Sequence, residues 1–92
     1  MLLKPSGTPE RFDQKRGKVL PISFSGNPKK AVVTFTDGNY PDTNYVITLS
    51  AIGVGYSFDP SPENQTVSGF TINLNCNTLA GLQEVGWATS DI

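Results

Sequence analysis

Few side chains in this sequence could do chemistry, and their types narrow what that chemistry is. There is no histidine, so the commonest metal ligand and the usual general base are both missing. The single cysteine, Cys76, can form neither an intrachain disulfide nor a multi-thiolate metal site. Acid–base work would fall to Asp37, Asp42, Asp59, Glu63, Glu84 and Asp91, all in turns or near strand ends, where solvated surface is the default. These residues point away from an enzyme and imply no cofactor. Cys76 alternates with Leu74 on an apolar face, which suits a packed thiol rather than a nucleophile. Asp37-Gly38-Asn39 and Asp42 offer oxygens for a hard cation but lack the spacing of an EF-hand loop, so no metal site is assigned. Asn64-Gln65-Thr66 matches the N-glycosylation sequon and is read as a loop entering a strand.

Recognition chemistry is better represented. Tyr40, Tyr45, Tyr56 and Trp87 could stack on the C–H faces of sugar rings while loop amides and carboxylates bond the hydroxyls. Tyr45 and Trp87 alternate with Ile47 and Val85, which assigns them to a core. Tyr40 and Tyr56 are flanked by loop residues, so they remain the exposed candidates, with Asp42 and Asn44 as polar partners for a glycan.

These residues must be carried by one small domain, since the chain is 92 residues long. With 37% hydrophobic and 16% charged residues, against about 25% charged in a typical domain, it is apolar enough to fold. No apolar run approaches the roughly 20 residues of a membrane span, so no membrane insertion is expected. The net charge of −1 conceals a gradient. Residues 1–18 carry five cations and two carboxylates, residues 19–92 two lysines and six carboxylates. The basic head lacks a matching basic stripe in the body, which argues for docking on an acidic protein surface and against nucleic acid.

Residues 1–17 hold two prolines, two glycines and no period, and read as an extended basic N-terminal arm; residues 18–92 read as the folded domain. Within the domain, short β-type runs alternate with Gly, Pro, Asn and Asp clusters, the signature of an all-β sandwich. Lys18 to Ser25 is expected as an edge strand because of Pro21. Ala31 to Thr36 and Tyr45 to Ile52 follow as strands, then a short strand over Tyr56-Ser57-Phe58. Thr66 to Asn77 alternates most clearly, with Phe70, Ile72 and Leu74 on one face, and Glu84 to Thr89 closes the fold. Pro60 and Pro62 are expected to exclude a ladder between Phe58 and Thr66. The expected core is Phe35, Ile47, Leu49, Phe70, Ile72, Leu74 and Trp87. The opposite faces, with Val32 and Thr34, Val46 and Thr48, Thr71 and Asn73, are uncharged, which suits an interface between like sheets.

The blocks Val32-Val33-Thr34-Phe35, Tyr40-Pro41-Asp42-Thr43-Asn44-Tyr45-Val46-Ile47-Thr48-Leu49, Thr66-Val67-Ser68-Gly69-Phe70-Thr71-Ile72 and Val85-Gly86-Trp87-Ala88 resemble, in order and spacing, the H-type lectin-like domains of bacteriophage tail fibres and related virion proteins. The resemblance implies a small antiparallel β-sandwich of about six strands that forms a trimer, in some members stacked into a hexamer. It makes Pro41 to Tyr45 a loop-to-strand entry, packs Trp87 inside, and turns the neutral faces into trimer contacts. Animal members bind sugars through a histidine and an arginine; this chain has no histidine and no arginine after residue 16, so a bacterial surface glycan would be bound by other loops. The reading that follows is a virion structural protein, whose arm residues Lys4, Arg11, Phe12, Lys15 and Arg16 dock on larger virion proteins. The alternative is a free-standing carbohydrate-binding module.

Overall fold

The computed structural model describes residues 14–91. It contains six strands and one short 3-10 turn: β1 (Gln14–Val19), the turn Pro21–Ser23, β2 (Lys30–Thr34), β3 (Tyr45–Gly53), β4 (Ser61–Thr66), β5 (Gly69–Asn73) and β6 (Leu82–Asp91). All pairings are antiparallel and form two three-stranded sheets, ordered β1-β6-β3 and β2-β5-β4. The all-β architecture follows from the period-two runs, because alternation places one set of side chains between the sheets and the other outside.

Phe35, Phe70, Ile72 and Leu74 are buried, together with Phe24, Ala31, Val33, Leu82 and Val85, while Ile47, Leu49 and Trp87 are half-buried against them. The aromatic centre joins the two layers. Phe35, just past β2, meets Tyr45 of β3 at 5.7 Å and Trp87 of β6 at 5.9 Å between ring centroids. Such edge-to-face and tilted contacts add to the area that each ring removes from water.

Four expectations are corrected. The first strand is Gln14–Val19, not Lys18 to Ser25, and so includes the last residues of the expected arm: Gln14 to Gly17 pair with Ser90 to Trp87. Pro21 instead opens the 3-10 turn, where its fixed φ fits and its missing N–H costs nothing. Ser61–Thr66 forms β4 despite Pro62. As an edge strand, β4 can direct that proline's missing donor away from its one neighbour, and it bulges between Glu63 and Thr66, where Asn64 has φ 54°. Tyr56 to Phe58 is a loop rather than a strand, following Gly55 at φ 76°, and β5 ends at Asn73, short of the left-handed Asn75.

Two tyrosine hydroxyls tie the layers. The Tyr45 hydroxyl donates to the Thr66 carbonyl at 2.6 Å and lies 2.9 Å from that of Gly69, both at the β4–β5 turn. Burial, reinforced by Tyr40, holds its phenol above the usual tyrosine range. Tyr45→Phe keeps the ring and removes the hydroxyl from the Thr66 carbonyl, while the Gly69 carbonyl keeps the Thr66 hydroxyl at 3.2 Å. A loss of about 1–2 kcal/mol of unfolding free energy is expected in urea titration.

Candidate functional site

Expected site residues fall into three places. The first is the end of the sandwich where β1 begins. Lys15, read as an arm residue, points inward from β1 with its side chain only 10% exposed. Its ammonium lies 5.4 Å from the Phe35 ring centroid and 5.0 Å from that of Tyr40, and 3.0 Å from Asp37 Oδ1. A lysine on an inward face is tolerable because two π faces and one carboxylate replace its water. Arg16, its neighbour, points to the opposite side of the sheet. Lys4, Arg11 and Phe12 lie outside the described residues.

The second place concerns the expected glycan contacts, which the fold does not bring together. Tyr40 is 2% exposed. Its ring stacks on Tyr45 at 4.4 Å and its hydroxyl meets Thr89 Oγ1 at 2.7 Å, so the reading of Tyr40 as an exposed stacking residue is corrected. A loop rich in Pro, Asp and Asn gave no sign of this burial, because the ring is anchored by its own neighbours, with its amide donating to Val67 O. Asp42 is occupied locally: its Oδ1 accepts the Asn44 amide at 2.9 Å, an Asx-type turn leading into β3. Tyr56 is 49% exposed and edge-on to Phe58 at 4.7 Å, but it follows the other end of β3. Nine strand residues separate the two groups, roughly 30 Å.

The third place is the outer sheet faces. Val32 and Thr34 are exposed on β2, and Thr71 and Asn73 are half-buried on β5. This face is more polar than the uncharged strand residues suggest. Lys30 and Glu63 form an ion pair across it, and the Asn73 amide donates to Glu63 Oε1 at 3.3 Å. Lys30, with help from Asn73, holds the Glu63 carboxyl below its usual range.

The outer face of the other sheet is different. Val46, Thr48, Ser50 and Ile52 line it on β3, and in register with them β6 presents Ser90, Ala88, Gly86 and Glu84. Arg16 and Lys18 of β1 form the other wall. The small central residues leave a cleft of about 560 Å³ bounded by Arg16, Lys18, Thr48, Ser50 and Glu84.

Gly86 is the signal within this sequence that strand reading alone passes over. Its φ lies outside the left-handed region, and a Cβ there would meet nothing closer than Ser50 O at 3.7 Å. Among the described residues neither backbone nor packing requires glycine at this position, although glycine in a strand costs roughly 0.5–1 kcal/mol relative to alanine. Strand glycines accompany bulges, sharp bends and close approach by another backbone or a ligand. Gly17 is a contrasting case, since a Cβ there would lie 2.7 Å from Trp87 Cζ2.

No family model matches the chain, and no curated protein or solved structure is significantly similar to it. The side-chain hydrogen bond from Lys15 holds the exposed Asp37 carboxyl below its usual range. A depressed carboxylate contributes stability that is present above the unfolded-state pKa and is lost as pH falls through the folded-state value. The urea midpoint is therefore expected to fall between about pH 6 and about pH 3, and to fall less in Asp37→Asn or Glu63→Gln. Parallel pH curves for the wild type and both variants would contradict this assignment.

Proposed function

We propose that the chain is a non-enzymatic structural module of the virion fibre, tip, collar or decoration kind, which assembles as a trimer and attaches to larger virion proteins through its basic N-terminal residues. The observation that carries this reading is the outer face of the β1-β6-β3 sheet. Val46 and Ile52 are 48% and 47% exposed there, beside hydroxyls and an unfilled glycine and alanine floor. Solvent-facing strands ordinarily carry Lys and Glu in such positions, whereas subunit contacts favour small and β-branched residues at close approach. The resemblance of residues 31–90 to H-type lectin-like domains supports the threefold count and the virion setting. Both outer faces carry a cross-strand ion pair, Lys30–Glu63 on one and Lys18–Glu84 on this one, and the glycine and alanine floor is what favours this one for subunit packing.

A glycan-adhesion role is favoured by one feature, the exposed Tyr56 ring braced on Phe58, which itself packs at Gly53. A bacterial surface glycan bound there would be lost in Tyr56→Ala, and a glycan array comparing the two proteins reads this directly.

Light scattering at micromolar concentration tests the assembly. The wild type is expected at three times the 9.9 kDa chain mass. Ala88→Glu, which puts a charge on the cleft floor without touching the core, is expected as a monomer with unchanged far-UV circular dichroism. A monomeric wild type overturns the reading.

A further inference from the structure

The two lateral sides of the sandwich are built differently. On one side the Gln65 amide of β4 donates to the carbonyls of Thr43 and Tyr45, at 2.9 and 2.7 Å, and stitches the sheets together. On the other side β1 and β2 are both edge strands, and no ladder joins them. Alternate backbone groups of each edge therefore face outward without a partner strand among the described residues. Between them run two clefts of about 430 and 160 Å³, floored by Val19, Val33 and Trp87.

The rim of this groove is apolar: Ile22 is 91% exposed, Val32 75% and Leu20 51%. Its lining carries three cations, Lys15, Arg16 and Lys18, against one carboxylate, Asp37. Lys15 is neutralised by Asp37, and Lys18 stands 3.5 Å from Glu84, but Arg16 makes no ion pair among the described residues. Neither β2 nor the Pro21–Ser23 turn carries a carboxylate. Cations alone are a common way of protecting an edge strand from pairing. Protection does not account for three large apolar side chains left open beside them, whereas a paired strand would cover those side chains and match the charge.

We propose that this open side binds an extended acidic–apolar polypeptide segment, which adds to the β1 edge as a further strand. Its apolar side chains cover Leu20, Ile22 and Val32, and its carboxylates face Arg16 and Lys18. Main-chain hydrogen bonds supply the affinity in such strand addition, and the alternating side chains supply the selectivity. The inference uses the β1 edge whereas the trimer reading uses the outer face of the sheet, but Arg16 and Lys18 also wall the outer-face cleft, so the mass of each variant is read alongside its binding.

Trp87 is the sole tryptophan and lines both clefts as well as the outer-face cleft, so its emission reports the groove when light scattering of the same sample shows no change of mass. The probe is a capped ten-residue peptide alternating glutamate and valine, compared with one alternating lysine and valine. The acidic peptide is expected to change Trp87 emission saturably, at least about tenfold tighter than the basic one, and more weakly as salt rises. Hydrogen exchange should slow at β1 amides when it binds. The double variant Arg16→Glu/Lys18→Glu should reverse the preference. Ile22→Asp, on a side chain too exposed to affect folding, should weaken binding at least about fivefold. No saturable response, or equal responses to both peptides, would overturn the proposal and leave Arg16 and Lys18 as edge protection only. Light scattering of the same samples distinguishes this outcome from a failure of the trimer reading.

Discussion

Two thin sheets enclose this core, and what holds them in register is the requirement that buried polar groups find partners. Tyr40 and Tyr45 stack on each other inside the sandwich, and their hydroxyls leave in different directions: one to Thr89 on β6, the other to the carbonyls at the β4–β5 turn. A slip of one sheet against the other would pull these hydroxyls off their partners, and a one-residue slip of a strand within its sheet would exchange that strand's core and surface side chains. Phe35 fills the space between them and touches Trp87 from the opposite layer. The aromatic centre thus fixes relative sheet position, which simple hydrophobic contact does not specify.

Lys15 extends this arrangement to the surface. Placing a lysine on the inner face of an edge strand is costly unless its charge is answered, and here the answer comes from the same rings that form the core, together with Asp37. The first strand is therefore held partly by an electrostatic cap rather than by apolar burial. That also explains its position at the margin of the sheet, where the cation can reach water and Asp37 together.

Much of the fold was legible in the order of residues. The alternations through Tyr45 to Ile52 and Thr66 to Asn77, and the shared direction of Val85 and Trp87, mark strands and the buried face, although the second run is a strand only over Gly69–Asn73. Strand β1 was hidden because Gln14-Lys15-Arg16-Gly17 shows no hydrophobic period; its inward side chain is charged and its inward glycine makes room for an indole. Strand β4 was hidden by proline, whose restriction weakens at an edge. Tyr40 was misjudged because a polar loop can be pinned by one deeply seated ring. The candidate site was less legible than the fold. The uncharged runs could be read from individual strands, but the cross-strand pairs Lys30–Glu63 and Lys18–Glu84 that put charge on both outer faces depend on register, and Gly86 gains meaning only when its free space is known.

The pairing of Gln14 with Ser90 sets the direction in which the domain resists force. Because β1 and β6 are antiparallel neighbours, the chain enters and leaves the domain at one pole. Tension applied through both ends would peel these strands apart rung by rung instead of shearing all their hydrogen bonds at once. Such a unit is mechanically weak when strung in series along a tether.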